Sequence, residues 1–442
     1  MKTFALILVG LLNFYALKSQ EKPNFIIIYM DDLGYGDLSS NGHPTIHTPN
    51  IDRLANNGTV FTQYYSASPA CTASRYALLT GKYPPRSGFR WVLNPNDPKG
   101  IHPNEFTISE YLKERGYRTG IFGKWHLGSA KLNYLPLQNG FDEFLGLPYS
   151  NDMIPPKYPD IAFLKGNDTL SMNPDQSLLT QQYTDAAIRF LNENKKKPFF
   201  MYIPYAMPHT PLYASGEFIN NSKRGLYGDV VKELDHYIGM LTKKLDELNL
   251  TKKTYVIITS DNGPWILQKS EGGSSGLFRD GKGSTWEGGM RVPFILYGHQ
   301  KITKNTRNSE VISSLDILPT ILNLAGIDEL KNNIDGEDMT HLFHGQEKKG
   351  KDVFFYFGLN HKLYAVRKGK WKLHVDTYSQ LNREYFNKKL PLLFNLEVDP
   401  SENYDLAADN PAVVEELNKL ILDMEKDVLQ KGSFWDEMAS KP

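Results

Sequence analysis

The chain has 442 residues, and its 50 Lys and Arg balance 50 Asp and Glu to a formal net charge of zero. No global field draws in nucleic acid or another polyanion, so any anion recognition has to be local. A single cysteine excludes an intramolecular disulfide, and the length admits one large domain with an appendage, or two or three domains.

Taken in chain order, Lys2 precedes an apolar run from Phe4 to Leu17, followed by Lys18-Ser19-Gln20. Residues 1–20 read as a secretory signal peptide, because spanning a bilayer takes about 20 apolar residues and this run is shorter. An exported protein, secreted or periplasmic, with no membrane span after signal cleavage is expected. Asn24 to Met30 is a β-rich run that ends in Asp31-Asp32, and Thr48 to Asn57 reads as a helix. Cys71 heads a short helical stretch that runs to Thr80 and is stopped by Gly81 and Pro84-Pro85. Thr107 to Arg115 is another helix. Pro198 to Tyr205 is a strand leading to His209, and Asp229 to Leu248 is a helix with apolar positions at Val230, Leu234, Ile238, Leu241 and Leu245. Thr254 to Thr259 runs into Asp261-Asn262, and Val292 to Tyr297 is a fourth strand.

This alternation predicts a parallel α/β sheet covered on both faces. Ligands of such sheets bind outside the carboxyl ends of the strands, where three of these four runs deliver polar residues. Asn94 to Pro103 and Ser150 to Pro159 read as long surface loops, the usual place for specificity. Beyond about residue 345, Phe354 to Phe357, Tyr364 to Arg367 and Trp371 to Val375 are closely spaced strands, followed by a helix over Pro411 to Lys431. They predict a small antiparallel C-terminal subdomain over residues 346–442, beside a large domain over residues 21–345.

The lone Cys71 sits near a helix N-terminus, where free N–H groups and the dipole favour an anion. Asp31, Asp32, Asp261 and Asn262 are four oxygen-bearing side chains at strand ends. Alone such a pair of aspartates is a common cap or turn, but the set also fits calcium, which takes six to eight oxygen ligands. Lys124 and His126, two apart on an extended segment, are expected to project to one side.

Cys71, Arg75 and Leu78-Leu79-Thr80-Gly81-Lys82 resemble the signature of the formylglycine-dependent sulfatases, with Ala73 where Cys-x-Pro-x-Arg has proline. Asp31-Asp32-Leu33-Gly34-Tyr35-Gly36-Asp37, Ser260-Asp261-Asn262-Gly263, Gly123-Lys124-Trp125-His126-Leu127-Gly128, Pro208-His209-Thr210-Pro211 and the segment from Gly281 to Gly289 resemble further motifs of that family. Gly140-Phe141, the segment from Leu145 to Ser150, and the segment from Gly272 to Leu277 are similar to its arylsulfatase A and N-acetylgalactosamine-6-sulfatase branch.

The resemblance implies an alkaline-phosphatase-like α/β domain with a mixed, mostly parallel sheet, and a small C-terminal antiparallel subdomain. It implies that a maturation enzyme oxidises Cys71 to formylglycine. It further implies one Ca²⁺ held by Asp31, Asp32, Asp261, Asn262 and the modified Cys71. By the same resemblance Lys124, Lys282 and Ser150 contact sulfate, His126 accepts a proton from the formylglycine hydrate, His209 faces the leaving oxygen, and Arg75 pairs with the formylglycine oxygen and nearby carboxylates. Asp37 is left structural.

Arg90, Trp91 and Tyr158 on the loops suggest a sulfated carbohydrate of extracellular origin, with galactose or N-acetylgalactosamine sulfate favoured by analogy. His361, Arg367 and Lys368 are candidates for one pocket wall, although such a charge run is more often solvated. Two competing functions are a phosphate or phosphonate ester hydrolase on the same scaffold and a catalytically silent glycan-binding protein.

Overall fold

The computed structural model describes residues 22–89 and 91–439. The leader over residues 1–20 and Arg90 lie outside the described residues. Ten strands form the main sheet: β1 Asn24–Met30, β2 Thr59–Tyr65, β3 Arg118–Phe122, β4 Glu143–Gly146, β5 Ala162–Lys165, β6 Asp168–Met172, β7 Phe199–Pro204, β8 Thr254–Ser260, β9 Phe294–Gly298 and β10 Thr306–Ser313. Their spatial order is β10-β2-β9-β8-β1-β7-β3-β4-β5-β6. The central run β8-β1-β7-β3-β4 is parallel throughout. Antiparallel pairing enters at β9, which opposes both β2 and β8, and in the β4-β5-β6 ribbon.

The sequence Asn-Phe-Ile-Ile-Ile-Tyr-Met explains the central position of β1, since every residue is buried and alternate side chains serve opposite faces. Ile26, Ile28 and Met30 join one core with Phe190, Leu191, Leu234, Ile238 and Leu241 from the helices Leu179–Asn194 and Leu226–Glu247. Phe25, Ile27 and Tyr29 join the other with Ile108, Leu112, Leu318 and Ile321 from the helices Ile108–Glu114 and Ile317–Leu324. The sheet is therefore covered on both faces, as the run of apolar residues predicts.

Differences from the predicted elements have local causes. The helix expected from Asp229 starts at Leu226, because the Asp229 carboxylate turns back to accept the backbone N–H groups of Asn220, Asn221 and Ser222. The strand expected from Val292 begins at Phe294, past Pro293, which has no N–H to give a ladder. At the helix Ile108–Glu114 the boundary is sharp: Thr107 and Glu110 form a reciprocal capping box.

The C-terminal region carries a second sheet, antiparallel in the order β11-β12-β13-β14: Val353–Phe357, Leu363–Lys368, Trp371–His374 and Leu392–Asn395. The helix Pro411–Lys431 lays Leu417, Ile421 and Met424 against Ala365, Val366 and Leu373. No helix among the described residues is long and apolar enough to cross a membrane.

Candidate active site

Five parallel strand ends converge. β1 delivers Asp31 and Asp32, β8 delivers Asp261 and Asn262, β3 delivers Lys124 and His126, β4 leads to Ser150 and β7 leads to His209. Above them the helix Cys71–Thr80 begins at Cys71 itself, and all of its residues are buried. Arg75 ties these parts together. Its Nη2 donates to Asp31 Oδ2 at 3.1 Å and Asp261 Oδ2 at 2.9 Å, and its Nη1 donates to the Lys124 carbonyl at 2.9 Å. The guanidinium has no solvent exposure, so it is a buried, charge-assisted brace across three strand ends.

Donor atoms of Asp31, Asp32, Cys71 and His209 all lie within 4.8 Å of one another. Asp261 adjoins them, with Oδ1 accepting the Asp32 N–H at 3.0 Å. Burial and the neighbouring Asp31 push the Asp261 carboxyl up. Burial would also raise Asp31, but Lys124, His209, Arg75 and Lys282 outweigh it and hold Asp31 well below the usual carboxylate range. Asn262 Oδ1 is buried with no partner. Crowded carboxylates beside an unpartnered amide oxygen are the donor chemistry of a hard divalent cation, and the residues present fit one.

The Cys71 Sγ lies 3.4 Å from Asp31 Oδ1. Burial and that carboxylate push the thiol far above its ordinary value, against the pull of Lys124 and Lys282. A protonated, buried thiol is a poor nucleophile, so chemistry at this position calls for a changed side chain.

Two lysines flank the carboxylates. Lys124 Nζ pairs with Asp31 Oδ2 and donates to Ser150 Oγ at 3.0 Å. Lys282 Nζ donates to Asp32 Oδ2 at 2.8 Å and lies 4.6 Å from the Trp265 ring centroid. Gly123 lets this happen, since a Cβ there would stand 2.0 Å from the Pro204 carbonyl oxygen and its φ is +142°.

His126 reaches the site by a route that strand alternation does not give. Its backbone is left-handed, with φ 60°, and its Nε2 lies 3.0 Å from the Leu93 carbonyl oxygen. That contact places the proton on Nε2 and leaves Nδ1, which is buried and unpartnered, as a free acceptor. Burial, with repulsion from Lys124 and Arg75, holds the imidazole well below its usual value and hence neutral near pH 7. The Leu93 N–H also binds Thr72 Oγ1 at 3.1 Å, so the loop bearing Trp91 is pinned to both histidine and helix. His209 donates from Nδ1 to its neighbour Thr210 O at 2.5 Å and turns Nε2 towards Asp32 Oδ2, 3.7 Å away.

These groups line a pocket of about 330 Å³ that contains Cys71, Trp91, His126, Ser150, His209 and Lys282. Trp265, Tyr378, Gln380 and Asp152 also line it and escaped the sequence reading, having no motif to mark them. Tyr158 instead packs against the hydrophobic core. Arg367 is neither a pocket wall nor solvated: it is buried and donates to Tyr65 Oη and Gln63 Oε1 at 2.5 Å each. Lys368 is half-exposed and pairs with Glu416, and burial pushes the His361 imidazole down to about 4. The tail does reach the pocket, through Leu359, Tyr378 and Gln380. Asp37 is structural, accepting from Gly34 N, Ser274 N and Tyr227 Oη at 2.6–2.8 Å.

The C-terminal sheet also braces the turn that carries Lys282. Lys372 Nζ donates to the Thr285 carbonyl and to Glu287 Oε1, each at 2.9 Å, and pairs with Glu402 Oε1 at 2.9 Å. Glu402 Oε2 in turn accepts the Glu287 N–H at 2.8 Å.

Fold and site together place the protein among the alkaline-phosphatase-like hydrolases, as a sulfuric ester hydrolase. The chain belongs to the sulfatase family: the sulfatase model matches residues 23–327, and the model for the C-terminal region of aryl-sulfatase matches residues 349–440. It is 36% identical to arylsulfatase A of Bos taurus, over 96% of this chain and 91% of that relative. It is 35% identical to N-acetylgalactosamine-6-sulfatase of Mus musculus, over 91% of this chain and 85% of the relative. Among solved structures, Ps i-CgsB in complex with k-i-k-neocarrahexaose superposes with a TM-score of 0.79 at 32% identity, covering 92% of each chain.

Proposed function

We propose that this sulfatase is exported and removes sulfate from a sulfated carbohydrate, with galactose or N-acetylgalactosamine sulfate as the favoured class, using a formylglycine made from Cys71. The observation that carries the reading is the position of Cys71 in a pocket walled by Lys282, His126 and His209, with Trp91 and Trp265 beside them and Lys124 behind Ser150. The aromatic walls suit a sugar ring, and the carbohydrate in the Ps i-CgsB complex and the sugar named in the mouse relative point the same way.

Asp31, Asp32, Asp261 and Asn262 would hold Ca²⁺, which when bound supplies positive charge beside the reacting oxygens. The hydrated aldehyde supplies a hydroxyl to attack sulfur and a second whose proton must later leave. Lys124 and Lys282 hold the charge on the sulfate oxygens, each already desolvated against a carboxylate. Lys124 is steadied by Ser150. His209 gives a proton to the leaving sugar oxygen, and His126 takes the second hydroxyl proton at Nδ1. Arg75 keeps the strand ends in register while charge moves.

The test is peptide mass spectrometry of Cys71 from a host with a formylglycine-generating enzyme, together with sulfate release from sulfated galactans and glycosaminoglycan fragments. Conversion of the thiol to an aldehyde with release from one substrate class supports the reading. A thiol left intact in a competent host, with no sulfate released, overturns it.

A further inference from the structure

We propose that Asp152 is a specificity-determining residue, whose carboxylate accepts a hydrogen bond from a free hydroxyl adjacent to the sulfate ester of a bound sugar. The inference rests on the carbohydrate sulfate reading above and deepens it.

Asp152 lines the same pocket as Cys71, His209 and Lys282. Its Oδ1 is shielded from solvent and has no hydrogen-bond partner in the protein. Native structures leave few such atoms unexplained. Burial favours the neutral acid, but His209, the Ser150 hydroxyl, Lys124 and Lys282 outweigh it and hold the group below the usual carboxylate range, so it is ionised at neutral pH.

An extra anion beside two sulfate-binding lysines opposes the binding of sulfate, and it is tolerable only if the ligand satisfies it. A sulfate ester carries no hydrogen to donate, whereas the sugar bearing it carries hydroxyl groups.

The position is also rigid and close to the chemistry. Lys124 donates to Ser150 Oγ at 3.0 Å, two residues before Asp152, and the Ser150 hydroxyl is among the groups that hold the Asp152 carboxyl low. The intervening Asn151 is fixed by Gln176 Oε1 at 3.2 Å and the Pro211 carbonyl at 3.3 Å, while Met153 N closes a turn on Ser150 O at 3.1 Å. A fixed acceptor one side chain from the sulfate-holding lysine selects for a hydroxyl at the carbon next to the ester. The same charge repels a second sulfate there.

The experiment uses the matured full-length enzyme with methyl galactoside 3-sulfate and 4-sulfate, their 4-deoxy and 3-deoxy analogues respectively, and the 3,4-disulfate. The quantity read is the ratio of kcat/KM between each hydroxylated sugar and its deoxy analogue. Loss of one hydrogen bond to a charged group predicts a ratio of about 10 to 100 in the wild type. Asp152→Ala should bring it towards one, and Asp152→Asn should raise relative turnover of the disulfate. Equal losses on both members of a pair, leaving the ratio unchanged, would show a merely structural residue and overturn the inference. Turnover of an aryl sulfate with none of any sulfated sugar, or a matured wild type inactive on every sulfate ester, overturns the underlying carbohydrate sulfatase reading as well, which separates the two failures.

Discussion

Asn262 donates its side-chain amide to Asp32 Oδ1 at 2.7 Å and leaves its own Oδ1 buried without a partner. With Asp31, Asp32 and Asp261 crowded alongside, a cation bound there would add charge to what Arg75, Lys124 and Lys282 already offset. Removing divalent ions with EGTA should therefore lower the urea midpoint and abolish sulfate release, and Ca²⁺ should restore both. At a hundredfold excess over Kd the ion contributes about 2.7 kcal/mol. A urea midpoint identical with and without chelator would sink the assignment of these residues as ligands.

Cys71 is 2% exposed and its thiol is pushed up by burial and Asp31. Unmatured protein should consequently resist iodoacetamide in the native state and react readily in urea, read by mass spectrometry. Cys71→Ala removes only a sulfur atom from the start of a buried helix, so the variant should fold while sulfate release falls on the order of 10⁴-fold or more. Rapid native alkylation would contradict the burial of this position.

Leaving-group chemistry gives a sharper test of His209. A sugar alkoxide departs poorly without a proton, whereas an activated phenolate does not need one. His209→Ala should lower kcat on a sugar sulfate by about 10²- to 10⁴-fold and on 4-nitrophenyl sulfate by much less. Equal losses on the two substrates would remove it from the role of acid.

The parts of the site nearest the strands were legible in the sequence because each strand is a compact apolar run that ends abruptly in charge. Asn24 to Met30 followed by Asp31-Asp32, and Thr254 to Thr259 followed by Asp261-Asn262, announce both a buried strand and the polar group it delivers. Shorter or half-exposed strands carry no such signal. β6, exposed at every residue, and β10, apolar only towards its end, have patterns that resemble loop.

Pocket walls were less legible for a different reason. Trp265 and Tyr378 come from irregular segments 113 residues apart, and only tertiary packing brings them together. Arg367 sat in a sequence of apparent surface charge, yet its partners Tyr65 and Gln63 lie on β2, about 300 residues earlier. His126 lines the pocket through a left-handed backbone and not through strand alternation.

Burial pushes Asp37 up to about 7, against the hydrogen bonds from Tyr227, Gly34 and Ser274. The folded value lies above the unfolded one, near 3.8, so this group's contribution is fully present below that unfolded value. It is lost as pH rises through about 7. In EGTA, wild-type urea midpoints should fall between pH 4 and 7 more steeply than those of Asp37→Asn, which cannot ionise. Parallel slopes in the two proteins would show that Asp37 does not titrate in this window.

Lys372 and Glu287 set the last prediction, because they join the C-terminal sheet to the turn bearing Lys282. Burial alone would raise the Glu287 carboxyl, but Lys372, then Arg291 and Arg367, hold it down to about 2. Its stabilising contribution is thus present above the unfolded value of 4.5 and is lost as pH falls through about 2. Lys372→Met keeps the bulk of the side chain but leaves Glu287 and Glu402 facing each other without their shared cation. Removing one partner from a buried charge cluster costs about 3–5 kcal/mol, which should appear as a lower urea midpoint at pH 7. Part of that loss should be recovered near pH 4, where Glu287, relieved of Lys372, takes up a proton. Double replacement with Glu402→Gln should also recover stability at pH 7, since it removes one of the uncompensated charges. If Lys372→Met costs less than about 1 kcal/mol, the range of an exposed pair, the cluster is not what fixes the Lys282 turn. Sulfate affinity should then also be unchanged. If the larger cost appears together with a rise in KM on 4-nitrophenyl sulfate, the small sheet is a working part of the sulfate site and not an appendage to it.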